Sequence, residues 1–302
     1  MVFLKFRGLC APVFTAFRND MSIDVNIIPR YAQFLADNGV GGVLVHGSSG
    51  ESMSMNVQER KSALEEWSKA VKTTKQHLMV QVGGCPLPDV IELAKHAESI
   101  GVDSLLCLPE LYFRPTATRQ LINYLRIVGE AAPKTPLLYY HIPAWSGVNL
   151  NMATLMKEAA TELPTFQGIK YSTVDLEGGI AALEANKGKY AVFLGTNKMM
   201  AAACAMGIDS FIATTLNFLP QSASSIMKAV QESRIEEARS IQEQLTSACS
   251  IITKNGHWVP TMKTAMNLVT PINVGKSRPP LDNLTETQEK EMRDSLKTIS
   301  VV

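Results

Sequence analysis

Short apolar runs recur along this chain at intervals of about thirty residues, the combined length of a strand, a loop, a helix and a second loop. The runs cover residues 8–14, 42–45, 78–82, 104–108, 137–140, 168–170, 191–194 and 210–213. Longer amphipathic stretches separate them, as helical crossovers between parallel strands require, and eight such units are enough to close a barrel. The sequence therefore predicts an α/β fold, a (β/α)8 TIM barrel. Residues 56–72 read as one crossover helix, with Asn56 as N-cap and Glu59 three positions on, and residues 87–100 read as another, ending before Gly101. After the eighth run the strand pattern stops. Residues 221–230, 234–252 and 258–268 read as helices, and Pro279-Pro280 breaks the chain before a last polar helix. The expected organisation is a barrel over residues 1–220 with a C-terminal helical extension over 221–302 packed on it as a single structural unit.

Composition narrows the partner. The 302 residues are 46% apolar and 19% charged, with a formal net charge of +1. Such a chain can bury a large core, and it has neither the basic excess that attracts nucleic acid nor an acidic tail. A small-molecule partner is expected, with no nucleic acid and no membrane. The first nine residues carry Lys5 and Arg7 and no apolar core of signal-peptide length, which predicts a cytoplasmic protein. Cys10, Cys85, Cys107, Cys204 and Cys249 are odd in number and widely spaced, as suits reduced core thiols. His46, His77, His96, His141 and His257 lack metal-ligand spacing, so no metal is expected.

In such a barrel the chemistry belongs at the C-terminal ends of the strands and in the loops that follow them. Lys170 ends the sixth run, Gly168-Ile169-Lys170. Burial disfavours a charged amine, and a neutral amine can attack a ketone to form a Schiff base. A lysine at a strand end can equally snorkel to water. The second run leads into His46-Gly47-Ser48-Ser49-Gly50-Glu51, a turn whose amides and hydroxyls suit a small carboxylate better than a phosphate, or which serves only as a Gly-Ser turn and helix cap. The fifth run ends in Tyr139-Tyr140-His141, where a phenol can carry a proton or simply rim the core. His141 reads as a loop histidine with a satisfied hydrogen bond, since no Ser, Cys or carboxylate is spaced to make a triad with it.

Taken in order, Gly47-Ser48-Ser49-Gly50-Glu51, Tyr140-His141-Ile142-Pro143-Ala144 and Gly168-Ile169-Lys170 resemble the N-acetylneuraminate lyase and dihydrodipicolinate synthase superfamily of class I, Schiff-base aldolases. The likeness runs from about Gly8 to the final helices. The stretch Pro164 to Ser172 and the Tyr-His-Ile-Pro-Ala sequence are most similar to the animal N-acetylneuraminate lyase branch. The resemblance implies an imine between Lys170 and the C2 ketone of a 2-keto acid, with Tyr140 relaying the proton, Ser49 assisting, and no separate cofactor because the lysine is the electron sink. It implies substrate contacts from Ser48, Ser49, Gly50, Ser172, Gly195, Asn197, Lys198 and Thr214. It also implies a homotetramer in which Tyr112 lines a subunit contact or a neighbouring active site.

The reaction implied is cleavage of N-acetylneuraminate to pyruvate and N-acetylmannosamine. The alternatives are a diverged Schiff-base enzyme using another 2-keto-3-deoxy sugar acid or a different carbonyl or imine acceptor, and a catalytically silent ligand-binding homologue. The chain departs from the family pattern where the sugar tail is gripped. Gly195-Thr196-Asn197-Lys198 stands where sialic acid lyases carry Gly-x-Asp-Glu, and Ala213-Thr214-Thr215-Leu216-Asn217 where they carry Gly-Ser-Thr-Tyr-Asn. The 109–115 loop is also unlike the family's usual aromatic pair.

Overall fold

The computed structural model describes residues 2–185 and 187–298. Eight strands form one sheet in sequence order, every neighbouring pair parallel: β1 (Cys10–Pro12), β2 (Gly42–Val45), β3 (His77–Gln81), β4 (Ser104–Cys107), β5 (Leu137–His141), β6 (Phe166–Tyr171), β7 (Ala191–Leu194) and β8 (Ser210–Phe211). The ring closes where Leu9 bridges Phe211 in parallel and the Phe211 N–H donates to the Gly8 carbonyl. This is the expected (β/α)8 barrel. The ends of the apolar runs differ from the ladder: β1 and β8 are shorter than their runs, while β6 begins two residues earlier. Ala213 ends the eighth run because a 3-10 turn, Thr214–Asn217, takes over there, held by Asn217 Nδ2 donating to the Pro12 and Thr214 carbonyls.

The crossovers are α1 (Ile28–Asp37), α2 (Val57–Thr74), α3 (Leu87–Ser99), α4 (Thr118–Ala131), the single turn α5 (Pro143–Ser146) with α6 (Met152–Glu162), α7 (Leu176–Glu184) and α8 (Met200–Ala205). Helix α2 starts in a capping box, as its sequence predicts: Asn56 Oδ1 accepts from the Glu59 N–H at 2.9 Å, and Glu59 Oε2 accepts from the Asn56 N–H at 3.0 Å. Four further helices follow the barrel: α9 (Pro220–Gln231), α10 (Ile235–Ile252), α11 (Trp258–Val269) and α12 (Glu286–Leu296). Among the described residues no helix is long and apolar enough to cross a membrane.

Strand alternation divides the apolar residues into two layers. Val43, Val45, Leu78, Val80, Leu105, Tyr139 and Ile169 pack outward under the helices, whereas Cys10, Leu44, Met79, Leu106, Leu138, Tyr140 and Phe193 fill the barrel. Phe6 closes the bottom, stacked on His77 with ring centroids 4.6 Å apart and on Phe193 at 6.1 Å. What remains open is the end where the strands terminate.

Candidate active site

Lys170 faces that end because of an irregularity in its own strand. Leu137 pairs with Phe166 but Leu138 pairs with Gly168, so one extra residue, Gln167, is inserted into β6. Phe166 and Ile169 consequently both pack in the outer layer although they are three positions apart, and the next residue, Lys170, turns inward. Gly168 permits the bulge. Its φ is 146°, and a Cβ there would lie 2.1 Å from the Ala191 carbonyl oxygen.

Lys170 is 4% exposed and pairs in register with Tyr140, its Nζ 4.1 Å from the centroid of the Tyr140 ring. The Tyr140 hydroxyl is 3.2 Å from Ser48 Oγ. A second hydroxyl chain crosses the mouth from the C-terminal helices: Trp258 Nε1 donates to Thr214 Oγ1 at 3.2 Å, and Thr214 Oγ1 is 2.9 Å from Ser49 Oγ. Beneath Lys170 the Cys10 thiol is pushed up to about 12 by burial, with the lysine pulling the other way.

The Ser48-Ser49 turn is held from below. His46 and Glu51 bracket it with φ of 62° and 54°, left-handed values that cost non-glycine residues about 1–3 kcal/mol each. Glu51 is buried, and its carboxylate accepts from Lys263 Nζ at 2.8 Å and from the Arg278 N–H at 3.0 Å. Lys263, on α11, also donates to the Thr15 and Lys276 carbonyls at 2.9 and 3.0 Å, which uses all three of its protons. Thr15 Oγ1 in turn donates to the Gly50 carbonyl at 2.7 Å. The turn is thus tied to the C-terminal helices through a buried ion pair. His46, buried near the Arg60 guanidinium, is held well below the usual histidine range, chiefly by desolvation.

Lys170, Tyr140, Ser48 and Ser49 converge on one cavity of about 310 Å³, whose lining also includes Ser172, Gly195, Thr214, Trp145 and Trp258. An amine, a phenol and several hydroxyls in a largely apolar cup can bind a carboxylate, attack an adjacent ketone and move a proton. Over residues 5–299 the sequence matches the Dihydrodipicolinate synthetase family. The chain belongs to that family, and it is an enzyme of the lyase class. It is 30% identical to the N-acetylneuraminate lyase of Gallus gallus over 297 residues, covering 98% of this chain and 96% of that protein. The Homo sapiens N-acetylneuraminate lyase is also 30% identical, with 98% and 93% covered. Among solved structures, Proteus mirabilis N-acetylneuraminate lyase superposes with a TM-score of 0.94 at 26% identity, over 99% of this chain and 100% of that one.

Not every residue singled out in the sequence reaches the cavity of this family member. Gly50 is buried behind it, where a Cβ would lie 3.0 Å from the Val13 carbonyl oxygen. Asn197 is 4% exposed and is not among the cavity-lining residues, its Oδ1 accepting from Thr215 Oγ1 at 2.6 Å and its carbonyl from Gln242 Nε2 at 2.8 Å. Lys198 is exposed and lines a separate groove between α8 and α10. The 195–198 turn therefore brings Gly195 and Thr196 to the cavity lining, while Asn197 and Lys198, also expected to contact substrate, lie outside that lining. Tyr112 is 85% exposed, in an edge-on pair with Phe113.

His141 also differs from its reading. It ends β5, buried on the outer side of the barrel and stacked on Tyr171 at 5.2 Å, and its Nδ1 has no hydrogen-bond partner among the described residues. Contributors missed altogether include Trp145 on α5, Trp258 on α11, the rim residues Thr173, Val174 and Thr196, and the Lys263 clamp. A loop tryptophan and a helix-borne lysine carry no local pattern that marks them, because each acts through contacts far away in sequence. The five cysteines are all free, and no group of three or more His, Cys, Asp or Glu among the described residues could hold a metal ion.

Proposed function

We propose that this chain is a class I aldolase that cleaves a 2-keto acid through an imine on Lys170. The observation that carries the proposal is the buried Lys170 amine held against Tyr140 on adjacent strands, with the Ser48-Ser49 turn beside them. The Lys170 amine adds to C2 of the substrate and water leaves. Tyr140 relays the proton of the C4 hydroxyl, taking it on its oxygen while passing its own proton to the substrate carboxylate, as the C4 carbonyl forms, the C3–C4 pair moves to C3, and the protonated imine becomes an enamine. The aldehyde departs, a proton adds at C3, and water hydrolyses the imine to pyruvate and free lysine. Ser48, Ser49 and the amides of their turn hold the substrate carboxylate, and Ser49 assists the relay through its hydroxyl. Ser172, Gly195 and Thr214 line the rest of the substrate path. No separate cofactor enters, because the imine nitrogen takes up the electrons.

The relatives' names make N-acetylneuraminate the first substrate of this reading, giving pyruvate and N-acetylmannosamine. A second reading, a diverged aldolase for another 2-keto acid, is favoured by a cavity lining that includes neither Asn197 nor Lys198. A homotetramer belongs to the same proposal, with the exposed Tyr112 and Phe113 pair as its subunit contact, and so does a cytoplasmic location. The deciding experiment is borohydride reduction in the presence of N-acetylneuraminate, followed by intact-mass and peptide analysis. A reduced pyruvyl adduct on Lys170 supports sialic acid cleavage; an adduct formed from pyruvate alone keeps the imine and rejects that substrate; no adduct from either rejects the imine.

A further inference from the structure

We infer that the acceptor half of the cavity selects an aldehyde with an uncharged, apolar or aromatic substituent rather than a polyhydroxylated chain. The inference rests on the Schiff-base reading of Lys170, takes the second of its two substrate readings, the diverged 2-keto acid, and concerns only what lies beyond C4 of the substrate. Among the described residues, Lys170 is the single charged side chain on the cavity lining, which includes no carboxylate or carboxamide. A polyol entering such a site must leave water and find an acceptor for each hydroxyl, and every one left without a partner weakens binding.

The hydroxyls that line the cavity are mostly committed to one another near the lysine: Ser48 with Tyr140, and Ser49 with Thr214, which also receives Trp258. Ser172 Oγ is unpartnered but sits against Gly195, whose added Cβ would lie 1.8 Å from it, two residues beyond Lys170. Ser172 thus leaves one hydroxyl open to a substrate. Only Thr173 and Thr196 remain toward the rim.

The opposite wall is apolar. Ile142, Pro143, Ala144 and Trp145 arrive on α5 and the residue before it, Val174 follows β6, and Trp258 comes from the C-terminal helices. Trp145 is 48% exposed and Val174 71% exposed in the free chain, so a ligand that covers them removes apolar surface from water. An aromatic ring lying against this apolar lining would gain that burial without asking it for a hydrogen bond. The compound favoured is a 4-hydroxy-2-keto acid whose C4 substituent is a ring or a compact aliphatic group. In the synthetic direction C3 of the pyruvate enamine attacks the aldehyde carbon, the aldehyde oxygen takes the proton from Tyr140, and hydrolysis frees the product.

The test uses the whole enzyme with pyruvate and two acceptors, benzaldehyde and N-acetylmannosamine, alongside borohydride trapping with pyruvate alone. The expected result is a pyruvyl adduct on Lys170 and a kcat/KM at least roughly tenfold higher for benzaldehyde. Trp145→Ala should shrink that ratio by reducing the benzaldehyde value. An adduct with equal or better use of N-acetylmannosamine, or with neither aldehyde consumed, overturns the inference and leaves the imine standing. Failure to trap pyruvate overturns the parent reading and this one with it.

Discussion

Lys263→Met would cut the tie between α11 and the Ser48-Ser49 turn, and its cost can be worked from the contacts. Both members of the Lys263–Glu51 pair have side chains only 1% exposed. Burial pulls the Lys263 amine below the usual lysine range and Glu51 pushes it back up, so the pair depends on its mutual contact. Methionine fills the same space but leaves the Glu51 carboxylate with the Arg278 N–H, and leaves the Thr15 and Lys276 carbonyls without that donor. Removing one partner of a buried pair costs about 3–5 kcal/mol, a large part of the roughly 5–15 kcal/mol that holds a domain folded. At about 2 °C per kcal/mol for a chain of this size, the melting temperature should fall by roughly 6–10 °C. Glu51→Gln combined with Lys263→Met removes the stranded charge, so the double variant should recover a substantial part of the loss. Urea unfolding of the wild type, both single variants and the double variant measures the coupling. A Lys263→Met loss below about 1 kcal/mol, or strict additivity in the cycle, would refute the clamp.

Lys170→Ala should abolish both the borohydride adduct and turnover, while a Lys170→Ala protein that still cleaves substrate would remove the imine from the mechanism. Tyr140→Phe should lower kcat by about 10²–10⁴-fold, the usual worth of a positioned proton relay, with pyruvate still trapped on Lys170; unchanged kcat would assign the relay elsewhere. Gly168→Ala should destabilise the barrel by about 3 kcal/mol or more, since its Cβ would meet the Ala191 carbonyl and its φ is one that L residues avoid; a neutral result by urea unfolding would mean that β6 can relax. His141 is lowered from 6.5 to about 4 by burial, against the pull of Asp175, so the unfolded chain binds the extra proton between those values. Its contribution is whole above pH 6.5 and is lost as pH falls toward 4, about 2 kcal/mol by pH 5. Unfolding at pH 7 and 5 should show that loss, smaller in His141→Gln; identical slopes would place the proton on other groups.

The barrel was legible because each strand is buried on both sides, so it reads as an unbroken apolar run, and because the crossovers impose a common spacing. The strand ends were less so. The 3-10 turn that stops β8 depends on Asn217 reaching Pro12 at the seam where β8 meets β1, a contact between residues 205 positions apart that no local pattern announces. The extra residue in β6 was equally silent, since Phe166-Gln167-Gly168-Ile169-Lys170 shows its insertion only against the partner strand. Yet that insertion is what turns Lys170 inward. Reading Gly168-Ile169-Lys170 as a plain strand reached the right residue without the reason it faces the cavity.

The reacting end and the acceptor end of the site differ in how they are encoded. Lys170, Tyr140 and the Ser48-Ser49 turn stand at strand ends or just beyond, where the barrel fixes direction two residues at a time, so residue type and strand position together locate them. The acceptor end is built by α5, by the 195–198 turn and by a helix outside the barrel, where a side chain's direction depends on the path of each connection. Aligning Asn197 and Lys198 with an acidic pair assumed that the turn keeps its path. In this chain Asn197 pairs with Thr215, a hydroxyl in the turn after β8, and Lys198 lines a groove beside α10. Two indoles then form walls that the alignment did not place in the site. On the proposed reading, substrate preference depends on hydrogen bonds among loops, and a change at Thr215, which is not itself a lining residue, should alter the tail pocket more than a change at Lys198.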